Sequence, residues 1–155
     1  MSVTGREKQK AQASQAAPLA WRAFLRGLAL ELDTQAGPDV GTAIVRAAGR
    51  QMAAMLTLVA VHSLEALELE MNSVLAEIGW GSVQLTLHEA ERCVILRHSD
   101  LPPIGSAGEP PGTWLAPALE GLYQGWMGQQ AGADPSFSAR VKGHEGDTIV
   151  IRYGR

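Results

Sequence analysis

Large apolar residues fall into helical spacing soon after a polar start. Trp21, Phe24, Leu25, Leu28 and Leu32 recur at three- and four-residue intervals and predict one apolar stripe on a first helix ending near Gly37. Pro38 suits the first turn of a second helix through Ile44, Val45, Ala48, Met52, Met55 and Leu56. Gly41 and Gly49 weaken that helix but allow a neighbour to approach closely. A third helix from about Ser63 turns Leu64, Leu67, Met71, Val74, Leu75 and Ile78 inward and Glu65, Glu68 and Glu77 outward, ending at Gly79 and Gly81 around Trp80.

After Gly81 the period changes to two. Val83, Leu85 and Leu87 alternate with Gln84, Thr86 and His88, and a turn at Glu89–Glu91 leads into Cys93–Arg97, so the pair reads as an antiparallel hairpin. A loop rich in Pro and Gly, residues 99–112, precedes a helix with Leu115, Leu119, Leu122 and Trp126 inward and Trp114, Tyr123 and Met127 broadening the apolar surface. Pro117 must lie in its first turn, where the missing amide hydrogen costs least. Two final strands near 137–142 and 148–153 flank a turn at His144–Asp147. Three helices, a hairpin, a helix and a hairpin make an α+β domain over residues 18–155. Residues 1–17 have too few large apolar groups to offset the entropy of ordering them, and are expected to form a mobile arm.

The 155 residues suit a single domain with a real core. A formal charge of −3 argues against a general nucleic-acid binder, and between Val61 and Glu91 there are six carboxylates and no Lys or Arg, a segment that would repel a polyanion. Cys93 is the only cysteine and reads as a small buried residue in an apolar strand. Arg6, Lys8 and Lys10 are followed by polar and small residues instead of an apolar core, and no apolar run is long enough to span a bilayer. The protein is therefore expected to remain in the cytoplasm.

Candidate chemistry is sparse. Asp100, Glu109 and Glu120 show no sign of converging on one bond, so they are expected to serve solvation, turn or interface roles. His62, His88, His98 and His144 have no metal-site spacing, and although His62 could be pictured as a haem ligand, the Tyr-x-Ser-x-Arg motif of haem gas sensors is absent. Gly105–Gly108 lacks the lysine of a phosphate cradle, and Ser106 lacks the setting of an exposed nucleophile. Trp21, Trp80, Trp114 and Trp126 all border helices and are expected in the core or at a subunit interface. No cofactor or metal is implied.

The words Asp100-Leu-Pro, Gly105-Ser-Ala-Gly-Glu-Pro110, Gly112-Thr-Trp-Leu-Ala-Pro117 and Leu119-Glu-Gly-Leu-Tyr123, with Ala76-Glu-Ile-Gly-Trp-Gly81 further back, closely resemble the signature of the bacterial cellulose synthase D-subunit family. The resemblance implies a non-catalytic accessory protein in a closed homo-octamer, a ring of four dimers, with amino-terminal arms inside and passages wide enough for glucan. It places Leu101, Pro102, Gly105, Ser106, Gly108, Glu109, Pro110, Thr113 and Trp114 in a family motif with an interface role. A guide for a moving glucan chain must bind weakly, which suits polar arm residues such as Ser2, Thr4, Gln9, Gln12 and Ser14, chosen by composition. Implied partners are other subunits of the synthase complex, a Pro-rich cellulose accessory protein and β-1,4-glucan chains. The expected position is cytoplasmic near the inner membrane, with the periplasm as the alternative. The order of elements also resembles the ligand-binding fold of vinyl-reductase-type domains, haem-based gas sensors and vesicle-tethering subunits, which leaves a lipid- or porphyrin-binding domain as the second function.

Overall fold

A computed structural model of the chain describes residues 21–102 and 113–155. Helix α1 covers residues 21–35. It is followed by α2 (Gly37–Met55) and, after an extended connector, α3 (Leu64–Ile78). Strands β1 (Ser82–His88) and β2 (Cys93–Ser99) form the first hairpin; a 3-10 turn (Thr113–Leu115) leads into α4 (Ala116–Gly128), and β3 (Ser138–Glu145) and β4 (Thr148–Gly154) form the second. The chain thus has the α+β order its periodicities predict.

Local chemistry sets the boundaries. Gly37, at φ 77°, takes a left-handed conformation that separates α1 from α2, and Pro38 lies in the first turn of α2. The Ser63 hydroxyl accepts the Ala66 amide at 3.1 Å to start α3, and left-handed Gly79 stops it. The hairpins join through β2 and β4 into one antiparallel sheet, β1-β2-β4-β3, with Leu96 opposite Ile151 at its centre. Helix α4 lies between α2 and the sheet, so it is buried nearly all round, with Leu119, Leu122, Tyr123 and Trp126 fully enclosed.

Burial on the first two helices does not follow side-chain size. The buried stripe of α2 is Gly41, Val45, Gly49 and Ala53, while Ile44 and Met55 are exposed. The reason is the closeness of α4: a methyl group added at Gly49 would collide with the Ala118 carbonyl oxygen, one at Gly121 with the Arg46 carbonyl oxygen, and one at Gly125 with the Ala53 side chain. Only small residues fit at Gly49 and Ala53, and Ile44 and Met55 lie on the outward side. On α1, Ala29 is buried and Leu25 and Leu32 are half-buried, but Trp21 is 64% exposed and Phe24 60%. Trp126 belongs to the core and Trp80 and Trp114 are half-buried, so a core role fails for Trp21 alone of the four.

Candidate functional site

The open edges of the sheet are closed by side chains instead of by further strands. Along β1, Asn72 of α3 donates to the Val83 carbonyl at 2.9 Å and accepts the Val83 amide at 2.8 Å, and Glu68 accepts the Leu85 amide at 2.7 Å. Along β3, Gln124 of α4 donates to the Phe137 carbonyl at 3.0 Å and accepts the Ala139 amide at 2.7 Å, and Glu120 accepts the Val141 amide at 2.9 Å. Each pair is one helical turn apart and serves amides two residues apart on a strand running the other way. The spacings match, because four helical residues rise about 6 Å and two strand residues about 6.6 Å. Unpaired edges are templates for adding another chain. Here much of each edge is already occupied.

Glu120 is buried, and its other oxygen takes the Arg46 guanidinium, with Nη2 at 2.8 Å and Nε at 3.2 Å. One carboxylate thereby joins α2, α4 and β3. This corrects the expectation that it serves solvent, a turn or an interface, because α4 is covered on both sides. His98 is fully buried: Nε2 lies 2.7 Å from the Trp80 carbonyl and Nδ1 2.5 Å from the Tyr123 hydroxyl. Burial lowers its pKa to about 4 against smaller opposing effects from the Trp80 carbonyl and Asp100, and burial also pushes the Tyr123 hydroxyl well above its usual range.

The α2–α3 connector is held in the same manner. Trp126 donates Nε1 to the Leu56 carbonyl at 2.7 Å, Gln129 bridges the Leu58 amide and the Ala53 carbonyl, and Gln130 accepts the Val61 amide. Among the described residues no buried side-chain nitrogen or oxygen lacks a partner, and no three His, Cys, Asp or Glu stand close enough to hold a metal ion. His62 and His144 are exposed, and Cys93 is buried as expected. No described helix is long and apolar enough to cross a membrane.

Of the motif residues, Leu101 is buried in the core and Pro102 is half-buried. Thr113 opens the 3-10 turn, and Trp114 lines an open cleft of about 410 Å³ with Asp33, Pro38, Gly41, Thr42, Val45 and Pro117. Gly105, Ser106, Gly108, Glu109 and Pro110, and all of Ser2, Thr4, Gln9, Gln12 and Ser14, lie outside the described residues. The structure adds exposed apolar side chains on two helices. Trp21, Phe24, Leu28 and Leu30 on α1 and Val40, Ile44 and Met55 on α2 make up seven of the ten large apolar side chains exposed among the described residues. The polar residues that close the sheet edges were not singled out by spacing, although each pair carries a signal: Glu68 and Asn72, like Glu120 and Gln124, lie four apart in helices that are otherwise largely apolar.

Residues 8–154 match the family of the D subunit of cellulose synthase. Cellulose synthase operon protein D of Komagataeibacter xylinus is 46% identical over 110 residues, covering 71% of this chain and 70% of the relative, and the protein of the same description from Komagataeibacter sucrofermentans matches to the same extent. Another Komagataeibacter xylinus protein of that description is 44% identical over 110 residues. With nearly its whole length matched, the chain belongs to the cellulose synthase D-subunit family.

Proposed function

We propose that this chain is a non-catalytic accessory component of the cellulose synthase complex, organising export and crystallisation of cellulose as a ring-shaped homo-octamer of four dimers. The observation that carries the reading is the exposed apolar surface of α1 and α2. Trp21, Phe24, Val40, Ile44 and Met55 are 44–74% exposed, and fully covering one such side chain stabilises by roughly 1.5–3 kcal/mol. A surface of this kind is matched by a second copy of itself, the commonest way to close a dimer. The occupied sheet edges support association through helix faces, and the saturated buried polar groups support an architectural use of the polar residues.

In this reading the protein works on the cytoplasmic side of the inner membrane, beside other synthase subunits and the Pro-rich accessory protein. Direct contact with β-1,4-glucan falls to main-chain groups and polar side chains of the arm, Ser2, Thr4, Gln9, Gln12 and Ser14. Pro102, Gly105, Ser106, Gly108, Glu109, Pro110, Thr113 and Trp114 shape the contacts between copies, and Leu101 anchors the motif in the core of its own copy. The decisive experiment introduces Phe24→Asp and Ile44→Asp together. Light scattering should give a smaller particle while thermal unfolding stays close to wild type, since both side chains are exposed; a particle of unchanged mass would overturn the reading.

A further inference from the structure

Charge is segregated to opposite edges of the sheet. Beside β1, the outward side of α3 carries Glu65, Glu70 and Glu77 around Leu69, which is 72% exposed, while the β1–β2 turn carries both signs, Glu89 and Glu91 with Arg92. None of these carboxylates forms a salt bridge among the described residues. At the other edge, Arg140 and Arg152 stand directly opposite each other on β3 and β4, on the sheet face away from α4, and Lys142 occupies the irregularity between Val141 and Gly143. Like charges directly opposite on neighbouring strands repel. Arg140 donates to the Ala139 carbonyl and Arg152 to a terminal oxygen of Arg155, and no Asp or Glu pairs with Arg140, Lys142 or Arg152 among the described residues. The nearby acids are differently engaged: Glu145 pairs with Arg97 and Asp134 with Arg155, while Asp147 lies in the turn between the strands.

The cationic group is therefore short of counter-charge, and α3 presents an uncovered helix face of the opposite sign. The two lie at the two edges of a four-stranded sheet, roughly 15 Å apart from β1 to β3 by strand spacing alone. That exceeds the screening length of about 8 Å at physiological salt, so they cannot neutralise each other within one copy. We propose that the acidic face of α3, centred on Leu69, docks against Arg140, Lys142 and Arg152 of the next copy of this chain. Such a contact joins two different surfaces, so it propagates from copy to copy and closes only as a ring. The contact is separate from the self-complementary apolar surface on α1 and α2, and the inference rests on the assembly reading given above.

The test uses two full-length variants. Arg140→Glu with Lys142→Glu makes the β3–β4 patch acidic like the α3 face, and Glu65→Arg with Glu77→Arg makes the α3 face net basic like the β3–β4 patch. Each alone should sediment as a smaller particle than wild type, and an equimolar mixture should recover the wild-type particle, because acidic and basic copies can alternate. Circular dichroism should find both variants folded, since all four side chains are exposed. Independently, carbodiimide treatment of the wild-type particle should link Lys142 to Glu65, Glu70 or Glu77 of another copy. Variants that assemble as wild type, a mixture that fails to recover, or a map without that link would overturn the contact while leaving assembly itself intact. A wild-type chain that is monomeric at low salt would overturn the assembly reading as well.

Discussion

His98 has an acceptor on one side, the Trp80 carbonyl, and the Tyr123 hydroxyl on the other, and these partners fix its tautomer. Nε2 must carry the hydrogen given to Trp80, which leaves the Nδ1 lone pair to accept from Tyr123. A second proton would displace that hydrogen bond and charge a buried ring. With a folded pKa of about 4 against 6.5 for the free side chain, the unfolded chain binds more protons between those values. The contribution is complete above pH 6.5, falls as pH drops toward 4, and levels off below that; its full size is on the order of 3 kcal/mol. The urea midpoint should therefore decrease from pH 7.5 to pH 5. His98→Gln, which cannot titrate, should flatten most of that slope, and an equal slope in the variant would refute the assignment.

Helices in this chain do two jobs that apolar periodicity does not describe. The first is to substitute for missing strands. In Asn72→Leu the Val83 amide and carbonyl would lose both partners, so we expect a loss of about 1–3 kcal/mol and a rise in aggregation on concentration as part of the β1 edge opens. Denaturation combined with light scattering checks both. The second job is contact of α2 with α4 at backbone distance. Gly121→Val would push its side chain into the Arg46 carbonyl, a main-chain group that cannot move aside, and should cost at least about 3 kcal/mol or prevent folding; a melting temperature within a few degrees of wild type would contradict that packing.

The described residues leave two features without a partner among themselves, the apolar side chains exposed on α1 and α2 and the charges of the α3 face and the β3–β4 patch. Both fit a protein that acts by assembly. The arm is tested at this level. Removing residues 1–17 should leave the thermal unfolding and particle mass of the purified protein unchanged while altering the organisation of cellulose in cells that carry the truncated copy. Unfolding of the truncated chain would show the arm to be part of the fold, and normal cellulose would separate Ser2, Thr4, Gln9, Gln12 and Ser14 from any glucan contact.

The sequence by itself determined the elements. Apolar spacing located α2, α3, α4 and both hairpins, Gly37, Pro38, Ser63 and Gly79 marked boundaries by their backbone chemistry, and the words around Gly112–Pro117 led to the family. Those signals are local, and local rules are sufficient to read them. Tertiary structure decided what each face meets. Hydrophobicity ranks Ile44 and Met55 above Gly49 and Ala53 for burial, yet the nearness of α4 admits only small residues at those two positions. Glu120, Gln124, Asn72 and His98 look like surface residues until a strand edge or a buried carbonyl lies within hydrogen-bond reach. A buried polar group is stable only through its partner, and those partners lie 11 to 21 residues away in Asn72–Val83, Gln124–Ala139, His98–Trp80 and Glu120–Val141.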